Sequence, residues 1–187
     1  MVFKNDVIIL FQSPFQAKLF YKYPDNILVD GTFYIAPKCS YQVFITRNYV
    51  REINSFYTIS FSILKNKQGS TYEILFKEIK KNIRIIINNI DIHPKYFHCD
   101  FEKGISNAVL KIFTSASIKY CIWHYKRSLE INKNKICFKE VEENNDLYIY
   151  YKAITNLPFI NSEYIIDIFN KIKNKCEQKI HTNFFKF

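Results

Sequence analysis

The sequence contains few of the residues that form tight turns or cross-link a fold. It has three glycines and five prolines among 187 residues, and its five cysteines are odd in number and widely scattered. Such a set argues against a disulfide framework and favours a reducing compartment. No secretory signal is recognised near the start, and no apolar run approaches the roughly 18 to 20 residues needed to cross a bilayer. We therefore expect neither a disulfide-rich secreted protein nor a membrane protein.

Apolar and basic residues are abundant instead. Hydrophobic residues make up 48% of the chain and aromatic residues 18%, which predicts a packed globule of one domain with at most a short appendage. The formal net charge of +10 favours contact with polyanions such as nucleic acid. The richness in Lys, Asn, Ile, Tyr and Phe is also what AT-rich coding produces, so the charge alone does not establish DNA binding.

The hydrophobic periodicity changes along the chain from two residues to about three and a half. Three strands are predicted first, and Ser70 or Thr71 then caps a helix that reaches about Asn88. The pattern predicts an α/β fold in the order β-β-β-α-β-α-β, which is that of a mixed RNase H-like sheet. The predicted strands are 26–33, 41–50, 56–64, 95–99 and 117–122; the predicted helices are 70–88 and 101–113, followed by an all-helical stretch with helices at 124–132, 147–156 and 162–178.

Two aspartates occupy equivalent places in this predicted order. Asp30 lies at the end of the first strand and Asp100 at the end of the fourth, and these two strands are neighbours in an RNase H-like sheet. Two carboxylates that meet in this way can hold Mg²⁺ for the cleavage of a phosphodiester, normally together with a third carboxylate. The alternative is structural, with Asp30 opening an Asp-Gly turn and Asp100 capping a helix.

A series of motifs in this chain resembles the Mutator-like (MULE) transposase domain. Each motif is weak alone, whereas their order and spacing together are specific, and the resemblance covers about residues 26–135. The motifs are 30–33 (DGTF) with Pro37, 41–44 (YQVF), 57–64, 70–72 (STY) with Phe76, 98–102 (HCDFE) with Ala108, and Cys121 and His124 separated by two residues.

The resemblance implies a transposase of the acidic-triad type, with an RNase H-like core. Such a protein binds transposon terminal inverted repeats and target DNA in the nucleus, and it cuts and joins strands with Mg²⁺ or Mn²⁺. A homodimer is compatible with this activity. Carried over by position, Asp30 and Asp100 become the first two metal-binding acids. Glu102 is a candidate helper carboxylate, although a partner for the helix dipole is the favoured role.

The third acid is where the sequence departs from the family pattern. In the family it is a Glu on a helix after a helical insertion, and this chain ends at Phe187 in a stretch that resembles the start of that insertion. We therefore expect a fragment or decayed copy that is inactive as this chain, or alternatively a non-catalytic DNA-binding module. The domains implied are a lead-in at 1–25, the core at 26–135 and an insertion-like helical segment at 136–187. Glu163, Asp167 and Glu177 lie on insertion-like helices, and none of them is assigned.

The Cys121 and His124 pair supplies at most half of a tetrahedral zinc site. No second pair of this kind lies nearby, and strand alternation directs His98 and Cys99 to opposite faces. We expect Cys121 to be buried, and His124 with Trp123 to pack at the end of the sheet or to contact DNA. Zinc is not expected.

Overall fold

The chain forms two compact units. The structure is a computed structural model that describes residues 1–179, and its units are Met1–Cys121 and the residues from Ile122 onwards. The boundary between the units follows Cys121, whereas the core was predicted to extend to residue 135. The boundary is earlier because the helix Ile122–Ile136 contributes Leu129 and Ile136 to the core of the second unit. Within residues 1–179 no helix is long and apolar enough to span a bilayer.

The first unit is built on a mixed sheet, so the predicted α/β class is confirmed. Its strands lie in the order β1-β2-β5-β4-β3-β6-β7. Neighbours from β1 to β3 in this order run antiparallel, whereas β3, β6 and β7 run parallel. The strands described are β1 (Phe3–Lys4), β2 (Ile8–Phe11), β3 (Asn26–Thr32), β4 (Gln42–Val50), β5 (Ser55–Leu64), β6 (Tyr96–Cys99) and β7 (Ser117–Tyr120).

Three helices of the first unit pack against one face of this sheet. They are α1 (Pro14–Lys22), α2 (Gly69–Ile86) and α3 (Lys103–Ile112). Their apolar residues share a single core with inward residues of the strands, because alternate strand residues point to the same side. We call this side the helix face. Its core includes Phe20, Ile27, Val29, Phe44, Leu75, Phe76, Ile79, Phe97, Cys99, Ile105 and Val109.

The opposite side of the sheet, which we call the acid face, carries the residues that alternate with this core. On β3 these are Leu28 and Asp30, and on β6 they are Tyr96 and His98. The strand residues between them, Ile27, Val29, Phe97 and Cys99, are all buried on the helix face. The acid face is therefore fixed by the register of the strands and not by any single motif.

Three elements lie in residues 1–25, where the sequence pattern predicted no strand or helix. β1 and β2 extend the sheet at its edge because β2 pairs with β5. α1 begins at Pro14 behind a capping box, in which Ser13 and Gln16 each satisfy the other's backbone N–H. These strands have only two and four residues, so they give too short a pattern for periodicity to detect.

Several predicted boundaries differ from those of the structure, and two of them bear on the site. Helix α2 begins at Gly69 with Gln68 as its N-cap, because the Thr71 hydroxyl bonds to Asn66 Oδ1 at 2.7 Å instead of capping the helix. The last strand ends at Tyr120, and Ile122 begins the next helix.

The second unit is helical throughout its described part, as predicted, and has a core of its own. Its helices are α4 (Ile122–Ile136), α5 (Phe138–Glu143), α6 (Asn145–Thr155) and α7 (Ile165–Lys179), with two short 3₁₀ turns between α6 and α7. Helix α5 was not predicted, since a helix of six residues carries little periodicity. The buried residues of this core are Cys137, Val141, Leu147, Tyr151, Ile154, Leu157 and Cys176.

Candidate functional site

The register of β3 and β6 places Asp30 and Asp100 side by side. Leu28 on β3 pairs with His98 on β6, and each aspartate follows its paired residue by two positions, Asp30 inside β3 and Asp100 directly after the end of β6. Neighbouring strands are about 4.8 Å apart, and residues two positions apart share a face. Both carboxylates are therefore carried by adjacent positions at one edge of the acid face.

Asp30 lies inside β3. Gly31 and Thr32 after it remain paired with Phe44 and Val43 of β4, so the alternative of an ordinary Asp-Gly turn is wrong. Asp30 is exposed and lines a small cavity of about 50 Å³. The other lining residues of the cavity are Leu28, Thr32, Ile45 and Arg47.

Gly31 is enclosed on the helix face. A Cβ built at Gly31 would lie 2.2 Å from Oε1 of Gln42. The Gln42 side chain is buried and donates a hydrogen bond of 2.7 Å from Nε2 to the hydroxyl oxygen of Tyr72. Because Gly31, the residue after Asp30, has no side chain, the buried amide group of Gln42 can pack against β3.

Asp100 follows the last residue of β6 and is half-buried. Its Oδ1 accepts a hydrogen bond of 2.9 Å from the backbone N–H of Glu102. The N-cap of α3 is Glu102, so Asp100 is not the capping residue. The hydrogen bond orients the Asp100 carboxylate.

Glu102 belongs to a polar group on the helix side of the site. Its Oε2 lies 3.0 Å from Nζ of Lys67, which also lies 4.6 Å from the ring centroid of Phe33. Burial raises the pKa of the Tyr72 hydroxyl, and the nearby Glu102 carboxylate adds to this shift. The Tyr72 hydroxyl accepts the hydrogen bond of Gln42, which packs against the strand of Asp30, so this polar group is connected to both strands of the site. The Glu102 carboxylate is therefore held by Lys67.

His98 and Cys99 lie on opposite faces, as strand alternation predicted. His98 Nε2 lies 3.0 Å from Asn26 Oδ1 on the acid face, and an amide oxygen only accepts, so the imidazole donates. Burial and the charge of Lys119 lower the pKa of His98, which keeps the ring neutral near pH 7. Cys99 is buried on the helix face, and burial raises the pKa of its thiol to about 12.

The remaining motif residues, Cys121 and His124, belong to different units, Cys121 to the first and His124 to the second. Cys121 is half-buried, and its backbone N–H donates to the carbonyl of Cys99 at 2.8 Å. His124 packs edge-on against Trp123, with ring centroids 4.9 Å apart, and its Nδ1 is buried. Within residues 1–179 no group of three His, Cys, Asp or Glu residues is arranged to hold a metal ion.

The sequence assigned no role at the site to the residues that surround the acids, although Gln42 and Tyr72 belong to the family motifs. Gln42, Lys67 and Tyr72 come from three different elements, and Arg47 approaches Asp30 only through the pairing of β3 with β4. One sequence signal could have pointed to part of this arrangement. It is the polar residue Gln42 within an apolar strand that pairs with the strand of Gly31. The remainder depends on register, which the sequence does not show.

Together, the fold and site define a mixed α/β domain that carries two aspartates side by side on neighbouring parallel strands. The family model described as MULE transposase domain matches residues 26–128, from the first residue of β3 into α4. Because the match covers more than half of the chain, the chain belongs to the MULE transposase domain family, and the resemblance found in the sequence is confirmed. Membership implies a function related to transposition and DNA recombination. A comparison with curated proteins finds no match.

Proposed function

We propose that this chain is the RNase H-like core of a Mutator-like transposase, which cuts and joins DNA strands at transposon ends with the help of divalent metal. The observation that carries this proposal is that Asp30 and Asp100 each follow, by two positions, the paired residues Leu28 and His98 of adjacent parallel strands. The strand order β5-β4-β3-β6-β7, antiparallel over the first three strands and parallel over the last three, supports an RNase H-like arrangement. The helices after residue 136 would be the start of the family's insertion.

The two aspartates fit a hard divalent ion such as Mg²⁺ or Mn²⁺. They offer carboxylate oxygens, which these ions prefer, and the soft thiol of Cys99, the residue before Asp100, is buried on the other face. When bound, the metal would activate a water or a 3′-hydroxyl and stabilise the leaving oxygen of a phosphodiester. Asp30 and Asp100 would hold it, and no described residue is assigned as a third carboxylate. We propose a packing role, without zinc, for Cys121 and His124.

Other residues of the chain would position these acids. The backbone N–H of Glu102 orients Asp100, and Lys67 holds the Glu102 carboxylate on the side of the helices. Glu102 would therefore support the second acid and not act as a metal ligand. On the other strand, Gln42 packs over Gly31 and fixes the backbone next to Asp30.

The proposed partners are the terminal inverted repeats of a transposon and its target DNA, bound in the nucleus. The formal net charge of +10 supports contact with DNA phosphates, because each neutralised phosphate releases counterions. A homodimer would allow both transposon ends to be held together. A DNA-binding module without catalysis is the alternative function.

The metal site is tested by titrating Mn²⁺ into the protein and into the variants Asp30→Asn and Asp100→Asn. Each variant should lose roughly tenfold or more in Mn²⁺ affinity, since even the loss of a supporting group costs 10- to 100-fold in metal sites. Asp91→Asn is the matched control, because Asp91 forms an exposed ion pair with Arg84 away from the site. Equal affinity in all variants would remove the two aspartates from the site.

Cleavage of supercoiled plasmid in the presence of Mn²⁺ separates the two candidate functions. Nicking that disappears in Asp30→Asn would support a transposase core. DNA binding without nicking, in a protein that binds Mn²⁺, would support the non-catalytic module.

A further inference from the structure

A second row of residues crosses the acid face beside the two aspartates. Strand pairing aligns Arg47 on β4 with Leu28 on β3, Leu28 with His98 on β6, and His98 with Lys119 on β7. We call these four residues the cation row, after its two ends, Arg47 and Lys119. The pairings place all four on one face, because residues opposite each other on neighbouring strands share a side of the sheet.

The dimensions of the cation row follow from strand geometry. It lies two residues before the aspartates on each strand, which is about 6.7 Å along the strands. Its ends are three strand spacings apart, or about 14 Å. One strand of DNA carries a phosphate every 3.4 Å along the helix axis, so the row is about as long as four phosphates.

The charges at the two ends of the cation row are available to a ligand. Arg47 and Lys119 are exposed, and neither takes part in the ion pairs identified within residues 1–179. The Lys119 ammonium lies 5.1 Å from the ring centroid of Tyr96, which holds it over β6. Between the ends, the apolar side chain of Leu28 carries no charge, so the permanent positive charges of the row are those of Arg47 and Lys119.

A basic groove of the first unit, between α2 and α3, contains cations that are mostly paired. It has a volume of about 990 Å³ and is lined by Lys77, Lys80, Lys81, Arg84 and Lys111, with Ile74, Ile85 and Ile112 as apolar neighbours. Three of these cations pair with carboxylates, namely Lys81 with Glu78, Arg84 with Asp91 and Lys111 with Glu73. The Lys80 ammonium donates to the carbonyl oxygen of Ile112 at 3.3 Å. This groove is therefore mostly neutralised from within.

We propose that Arg47 and Lys119 bind backbone phosphates of DNA on the acid face and so hold a strand beside Asp30 and Asp100. The proposal rests on the proposed function, because it assigns the DNA contacts of the same site. Two adjacent carboxylates repel a phosphodiester, and two cations whose strand positions are each about 8 Å from the nearer aspartate offset this repulsion. The cation row thus allows DNA to approach the acids.

The test measures binding of a short fluorescein-labelled DNA duplex of arbitrary sequence, by anisotropy, over a series of salt concentrations without divalent metal. Each phosphate contact contributes about 0.9 to the slope of log K against log salt. We expect Arg47→Gln and Lys119→Gln each to lower the slope by about 0.9 and the affinity several-fold. Arg47→Lys should keep the slope, because it keeps the charge.

Lys77→Gln and Lys81→Gln are the matched controls, since they remove charges from the groove between α2 and α3 of the same unit. We expect both controls to retain the slope of the unmodified protein. Unchanged slopes in Arg47→Gln and Lys119→Gln would overturn the proposal, and reduced slopes in the two controls would assign DNA to the groove instead. Failure of the unmodified protein to bind any DNA would contradict the proposed function itself, so the two failures are distinguishable.

Discussion

At the scale of single residues, the surroundings of the two aspartates are set by side chains that the motifs do not explain. Gln42 occupies the space that a side chain at Gly31 would need. Lys67 neutralises Glu102, whose backbone orients Asp100. The motif DGTF therefore contains one acid, Asp30, and one glycine, Gly31, whose lack of a side chain leaves room for Gln42. The motif includes both residues, but it does not show why the second is glycine.

The enclosure of Gly31 gives a prediction about stability. Gly31→Ala should destabilise the fold by about 1 to 3 kcal/mol, because an added methyl group in a packed region forces neighbouring groups to move. Gly69→Ala is the control, since its added Cβ would lie 3.9 Å from the nearest atom and Gly69 is the first residue of a helix. Urea unfolding measures both. Equal stability of the two variants would show that Gln42 yields at little cost.

At the scale of elements, local sequence signals located the longer strands and helices from residue 26 onwards but not all of their ends. The strands β3 to β7 and the helices α2 and α3 appear in the predicted order, because each is long enough or sufficiently β-branched to show a period. The caps were less predictable. Ser70 and Thr71 have the residue types of a cap for α2, yet the Asn66 side chain accepts hydrogen bonds from Thr71 and from the backbone of Gln68. Tertiary and turn contacts thus decided where the helix began.

The two helix starts provide a matched test of capping. Ser13→Ala should cost about 1 kcal/mol, because the Ser13 side chain accepts from the N–H of Gln16 at the start of α1. Ser70→Ala should stay within about 0.5 kcal/mol, since Ser70 is an exposed residue inside the first turn of α2. Both values come from denaturant unfolding. A larger cost for Ser70→Ala than for Ser13→Ala would contradict this assignment of the caps.

At the scale of the whole molecule, the chain combines a sheet unit of the MULE transposase domain family with a helical unit that has its own core. The family match ends at residue 128, inside α4. Because the buried residues of the two units belong to separate clusters, each unit should respond to its own core substitutions. The proposed chemistry and the proposed DNA contacts both belong to the first unit.

Separate cores predict a local response to a cavity. Leu147→Ala removes a fully buried side chain of α6 and should destabilise the second unit by about 2 to 5 kcal/mol. Ile149→Ala on the same helix is the control, because Ile149 is mostly exposed. Hydrogen exchange should show lost protection in peptides from the second unit and unchanged protection in peptides from the sheet. Equal loss in both would mean that the units unfold together.

The sequence by itself determined the family, the α/β class and the two aspartates, because these depend on local periodicity and on motifs that remain recognisable in one dimension. Asp30 and Asp100 are identifiable from their motifs alone, and their adjacency could be expected from the order of strands. Only the tertiary structure decided what lies around them. Arg47, Gln42 and Lys119 gain their meaning from strand register, and register is set by pairing and packing across the sheet, which no local segment encodes.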